Sequence, residues 1–207
     1  MRIFKVPFFL SMVFRRFIWR MSDTEKTIYL TFDDGPTPEL TEWILLTLDK
    51  YNAKATFFCV GENVEKHPHI YLKILDKGHK TGNHTYNHMN SREYSDETYI
   101  RNIQKASEFI KSPLFRPPYG RIRPRLAKKL KKVGYRPVMW SILSYDYDNE
   151  LTPGYIFRKI VKQTHYGSII VFHDNIKALK NLQILLPRYL AFFSDKGYKF
   201  KSLPDRK

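Results

Sequence analysis

The run Thr27-Ile28-Tyr29-Leu30-Thr31-Phe32-Asp33-Asp34-Gly35-Pro36 joins a strand to an acidic turn. Its first six residues are β-branched, aromatic or aliphatic, as in a buried strand. The next two set adjacent carboxylates at the strand's end, and Gly35-Pro36 turns the chain. Adjacent carboxylates repel, so one needs a cation or a proton nearby. A metal on one and a base role for the other would satisfy both. An acidic turn or a helix cap is the plainer reading of the same residues.

Outward from this run, the alternation of strand and helix continues. Thr37 is a plausible N-cap and Pro38 a first-turn residue for a helix carrying the apolar residues Leu40 to Leu48. Further strands are expected at Ala55–Val60, Lys80–Asn83, Leu114–Arg116, Pro137–Ile142, Ser168–Phe172 and Tyr198–Leu203. Helices are expected at Val64–Asp76, Ser95–Ile110, Arg125–Val133, Tyr155–His165 and Leu179–Phe193, the last disturbed at Pro187. About seven βα units argue for a mainly parallel sheet with helices outside it. The length of 207 residues suits one domain of the α/β class, a distorted, incomplete (β/α) barrel. An open doubly wound sheet would share the pattern.

Chemistry-bearing residues gather just after the expected strands: Asp33 and Asp34, His84 and His88, Arg116, Asp146, and His173. The carboxyl ends of barrel strands share one face, and that face holds the active site. Two histidines four apart in His84-Thr85-Tyr86-Asn87-His88 can share one ion. With an aspartate they make a three-ligand site that leaves positions for water and substrate. Two such histidines can also arise by accident among seven. In Arg116-Pro117-Pro118-Tyr119-Gly120 two prolines and a glycine fix a rigid loop, structural or functional, where Arg116 could pair with a carboxylate. The apolar strand Ile169–Phe172 delivers His173 to its end, where it could serve as a general acid or pack in the core. His67, His69, His79 and His165 are assigned to surface or packing roles.

Taken together and in order, these segments resemble the motif set of the NodB-homology polysaccharide deacetylases, carbohydrate esterase family four. Thr31–Pro36 resembles the first motif, His84 to His88 the second, Arg116–Gly120 the third and Val171–His173 the fifth. The resemblance implies a domain over residues 23–207 that hydrolyses N-acetyl groups on amino-sugar polymers or oligomers, peptidoglycan-like or chitin-like, and releases acetate. It implies Asp33 as general base, Asp34, His84 and His88 as ligands of one divalent metal ion, and Arg116 as the residue that orients the base. The Tyr119 N–H resembles an oxyanion donor and His173 the general acid. Val171 resembles a lining of the acetyl pocket, with Pro117 and Tyr147 taken as substrate-binding beside it. Zinc, cobalt and nickel all accept this ligand set, and zinc is the first expectation. The fourth motif departs from the family: Leu143 stands where the family has an acid, and Tyr147 where it has Trp. Asp146 aligns with the acid that tunes the catalytic histidine, and Asp148 offers another frame. The alternative function is a catalytically degenerate module that binds glycan or anionic polymer.

The net charge of +16, from 36 Lys and Arg against 20 Asp and Glu, raises the local concentration of anionic partners. An anionic membrane surface or an acidic polymer fits that balance. Nucleic acid is not expected, because no recognisable binding module accompanies the charge. The single cysteine, Cys59, excludes an intrachain disulfide. Residues 1–22 form a basic, apolar segment in which Val6 to Phe14 is interrupted by Pro7 and followed by Arg15-Arg16. This is too short to span a bilayer. It is expected to be retained, packed on the domain or lying on a membrane face. A cytoplasmic or membrane-associated place is favoured, with the cell envelope as the alternative.

Overall fold

A computed structural model describes residues 2–7, 12, 14, 17–21 and 25–205. Most of the apolar stretch expected in the first 22 residues, with Arg15 and Arg16, lies outside the described residues.

The strands are β1 (Thr27–Asp33), β2 (Thr56–Cys59), β3 (Lys80–Asn83), β4 (Leu114–Phe115), β5 (Arg136–Pro137), β6 (Ile142–Leu143), β7 (Ile169–His173) and β8 (Lys199–Lys201). The helices are α1 (Leu40–Asp49), α2 (Gly61–Lys66), α3 (Pro68–Asp76), α4 (Asp96–Phe109), α5 (Pro124–Lys132), α6 (Pro153–Gln163) and α7 (Leu179–Ser194). The sheet order is β5-β4-β3-β2-β1-β7-β6, and every pairing is parallel. β8 pairs with the start of β1, on the edge that β2 takes higher up.

Between β5 and β6 the chain crosses from one end of this sheet to the other. The Val138 N–H still donates to Phe115 O, whereas the Ser141 N–H donates to Ile169 O. The sheet therefore curls into an incomplete barrel rather than lying open. The amino-terminal segment enters this seam. Ile18 bridges Val138, Arg20 bridges Ser168 and Lys5 bridges Ile142. The Leu143 N–H donates to Phe4 O.

Packing follows from the central strands being covered on both faces. Ile28, Leu30 and Phe32 of β1 are fully buried, and all of β2 is buried, as expected for parallel strands under helices. Phe32 stacks between Phe57 at 5.1 Å and Phe172 at 5.8 Å between ring centroids, which ties β1 to both neighbours.

Four local expectations are corrected. Val64–Asp76 is two helices, because Pro68 disfavours helical backbone at His67, whose φ is −130°. Pro137–Ile142 is not one strand, because this is the crossing segment. Thr37 does not cap α1, which starts at Leu40; its hydroxyl donates to Asp174 O at 2.6 Å. Pro187 does not break α7, which runs through to Ser194.

Candidate active site and metal centre

β1 ends at Asp33, and Asp34 turns into left-handed backbone at φ 82°. The following turn lies tight against the loop after β7. A Cβ on Gly35 would sit 2.0 Å from Asp174 Oδ2, so only glycine fits there. The Asp174 N–H in turn donates to Asp33 O at 2.7 Å. This geometry gives the two neighbouring carboxylates different partners.

Asp33 is buried and accepts from Arg116 Nη1 at 2.7 Å. The guanidinium is itself fully buried. It also donates to the Thr31 hydroxyl at 2.7 Å and to Met139 O at 2.9 Å, and it lies 4.1 Å from the Phe58 ring. The fork thus fixes one carboxylate oxygen and is anchored on the seam between β5 and β6.

Asp34 Oδ1 lies 3.2 Å from His88 Nε2 and 3.5 Å from His84 Nε2. His84 Nδ1 sits 2.8 Å from Arg116 O, a carbonyl that can only accept, so the ring carries its proton there and leaves Nε2 a free lone pair. His88 Nδ1 lies 3.2 Å from the Tyr119 hydroxyl. Among the described residues Asp34 Oδ1 is buried without a hydrogen-bond partner. One carboxylate oxygen and two imidazole nitrogens, all within 4.8 Å of one another, fit a divalent cation of the zinc type.

His173, at the end of β7, pairs through Nδ1 with Asp146 Oδ1 at 2.7 Å, and its N–H donates to Asp146 Oδ2, also at 2.7 Å. Asp146 is fully buried and also accepts from the Ser144 hydroxyl. Burial pulls the imidazole down, but Asp146 first, then Asp34 and Asp33, raise it to about 9. Asp148, the other frame for the fourth motif, pairs instead with Arg2.

These groups share a cleft of about 730 Å³ lined by Asp33, Asp34, His84, His88, Tyr119, Leu143, Tyr147, Val171 and His173, among others. The Tyr147 ring meets the His173 ring edge-on at 4.7 Å. Tyr119 is 60% exposed and left-handed at φ 61°, and among the described residues nothing accepts from its N–H. Arg116 and Asp146 stand behind the wall, each reaching the cleft through its partner. Pro117 departs from expectation. It is buried and does not line the cleft, and its carbonyl accepts from the Gly120 N–H to shape the turn. Sequence reasoning missed Asn175, whose Nδ2 donates to Asp34 Oδ2 at 2.6 Å, and Asn63, whose Nδ2 donates to Asp34 O at 2.8 Å. Neither sits in a recognisable pattern; only contact reveals them. Of the other histidines, His79 is buried and packs where it was assigned, accepting from the Ala55 N–H.

The sequence profile of the family described as polysaccharide deacetylase matches residues 20–138. The chain belongs to that family. Among the polysaccharide deacetylases it is 35% identical over 194 residues to a peptidoglycan-N-acetylglucosamine deacetylase of Bacillus cereus, covering 90% of this chain and 91% of the relative. It is 30% identical to the peptidoglycan-N-acetylmuramic acid deacetylase PdaA of Bacillus subtilis, covering 87% of this chain and 71% of the relative. The fold superposes with a TM-score of 0.88 on a crystal structure of the Bc1960 peptidoglycan N-acetylglucosamine deacetylase, at 32% identity and 94% coverage of each chain. A pseudoenzyme of carbohydrate esterase family four from Bacillus anthracis shares the fold at 24% identity and a TM-score of 0.79, covering 90% of this chain and 66% of that one. The fold is thus shared with a pseudoenzyme.

Proposed function

We propose that this chain is a metal-dependent deacetylase that removes the N-acetyl group from amino sugars of peptidoglycan. The observation that carries the reading is the sharing of one cleft by three metal-type donors and two separately partnered acid–base groups. The relatives' substrates narrow it to peptidoglycan.

Asp34, His84 and His88 would hold a divalent cation. When bound, a divalent cation there supplies Lewis acidity to the acetamide carbonyl and to water. Asp33, oriented by Arg116, takes a proton from the water that attacks the carbonyl carbon. The Tyr119 N–H donates to the oxygen as it gains charge, and one such donor contributes about 3–4 kcal/mol in other enzymes. His173 has Nδ1 committed to Asp146, so Nε2 faces the cleft. From there it gives its proton to the nitrogen as the C–N bond breaks, releasing acetate and a free amino sugar. Val171, Leu143 and Tyr147 supply the apolar wall for the acetyl methyl.

The test is acetate release from peptidoglycan and N-acetylglucosamine oligomers, with chelator and with added zinc. Turnover that stops with chelator and returns with zinc supports the reading. Asp33→Asn is expected to keep its zinc and lose turnover, and His84→Ala to lose zinc. An active Asp33→Asn sinks the base assignment. Leu143, at the family's acid position, is the observation that favours a second reading, a glycan-binding module. Zinc-loaded protein that binds peptidoglycan without releasing acetate would support that reading instead.

A further inference from the structure

The positive charge is not spread evenly. Residues 109–145 contain ten Lys and Arg and no Asp or Glu, so this segment alone carries ten of the net +16. Five of the ten have partners. Arg116 meets Asp33, Arg123 and Lys129 meet Asp96, and Lys111 and Arg136 donate to carbonyls of Ser107 and Pro204. The other five are Arg121, Arg125, Lys128, Lys131 and Lys132. All are exposed, and none has an acidic partner among the described residues.

α5 buries Leu126, Ala127 and Leu130. Arg125, Lys128 and Lys132, at helical spacing, therefore form a row on its outer face, with Lys131 beside it. At 1.5 Å per residue the row is about 10 Å long. It also has a direction. Tyr119 and Gly120 line the cleft, Arg121 is the next residue, and α5 begins three residues later. The cations lead away from the catalytic face along the barrel's flank. Like charges in such a row repel one another, and an external polyanion relieves that repulsion. The apolar residues within α5 face the core, which leaves little to enter a bilayer.

We propose that Arg121 and the outer face of α5 form an extended subsite for a carboxylate-bearing glycan strand whose acetamido group occupies the cleft. The choice of occupant rests on the deacetylase reading above; the surface itself does not. A neutral sugar in the cleft gains nothing from these cations, whereas a strand with carboxylates along its length gains at each one.

The variant Arg125→Gln/Lys128→Gln/Lys131→Gln/Lys132→Gln leaves every cleft residue in place. Three measurements are needed: co-sedimentation with insoluble peptidoglycan bearing free peptide carboxylates, at low and high salt, co-sedimentation with anionic phospholipid vesicles, and acetate release from a neutral N-acetylglucosamine oligomer. Each screened contact contributes a factor of about two. The variant is therefore expected to bind peptidoglycan about 16-fold more weakly at low salt, with a flatter salt dependence, and to cleave the neutral oligomer as the parent does. Equal binding of parent and variant overturns the proposal. So does a matching loss on the neutral oligomer, or a loss confined to anionic phospholipid vesicles. Absence of acetate from every substrate sinks the deacetylase reading alone, because sedimentation still judges the surface.

Discussion

Replacing Asp146 by Asn tests the acid role of His173 through the pH profile. Burial pulls this imidazole down; Asp146, at 2.7 Å from Nδ1, is the largest influence raising it to about 9. With that charge gone its largest support is lost, and the group falls toward its ordinary 6.5. The change is roughly 2.5 units, or about 3 kcal/mol in the proton's free energy. A general acid must carry its proton, so activity is lost as pH rises through the pKa. At pH 8 the proton-loaded fraction drops from about 0.9 to about 0.03, a loss of roughly 30-fold, whereas at pH 6 the loss stays under about twofold. A cation at Asp34 offsets that carboxylate's contribution in both proteins, so the displacement between the two basic limbs is the quantity that matters. The assay is kcat/KM for acetate release across this range. Asn also leaves the His173 N–H poorly matched and costs stability, but the position of a limb does not depend on how much protein is folded. A basic limb that stays in place, with activity lowered evenly at every pH, refutes the assignment of His173 as the acid tuned by Asp146.

Arg116→Met leaves Asp33 buried without its ion-pair partner, and calorimetry should show a loss of about 3–5 kcal/mol. Zinc affinity should survive, because His84 is held by the Arg116 backbone carbonyl. His79 is pulled to about 4 by burial first. Its contribution to stability is full above pH 6.5 and is lost as pH falls toward 4, by up to about 3 kcal/mol. Urea midpoints at pH 7 and pH 5 should therefore converge in His79→Gln relative to the parent; equal losses in both proteins refute this. Gly35→Ala drives a methyl into Asp174 Oδ2, and a loss of about 1–3 kcal/mol with weakened zinc binding is expected. An unchanged melting temperature would mean that the turn yields freely.

The barrel was legible because its central strands β1, β2 and β7 are apolar runs, and β1 and β7 end on Asp33 and His173. Asp33, Asp34, His84, His88, Arg116 and His173 were legible for the same reason, since strand ends converge by topology. Asp146 was separable from Asp148 only by resemblance, and the contact with His173 gives the physical reason. Illegible were features that depend on distant partners. Asn175 and Asn63 are ordinary loop and helix amides until Asp34 is placed between them. The crossing after Pro137 reads as a strand because Val138 and Met139 are as apolar as strand residues, and nothing local says that they change neighbours. Pro68 was a local signal that should have divided the second helix.

The amino-terminal residues in the seam carry a consequence for handling the protein. A domain cut from residue 23 would remove the partners of Ile142, Val138 and Ser168. It would leave the backbone of residues 137, 139 and 143 facing solvent with unmet N–H and C=O groups. Such a row is a ready template for a second chain. Self-association of a shortened protein would then reflect an opened edge rather than a natural oligomer. The same cut would remove support from the crossing segment whose Met139 carbonyl steadies Arg116.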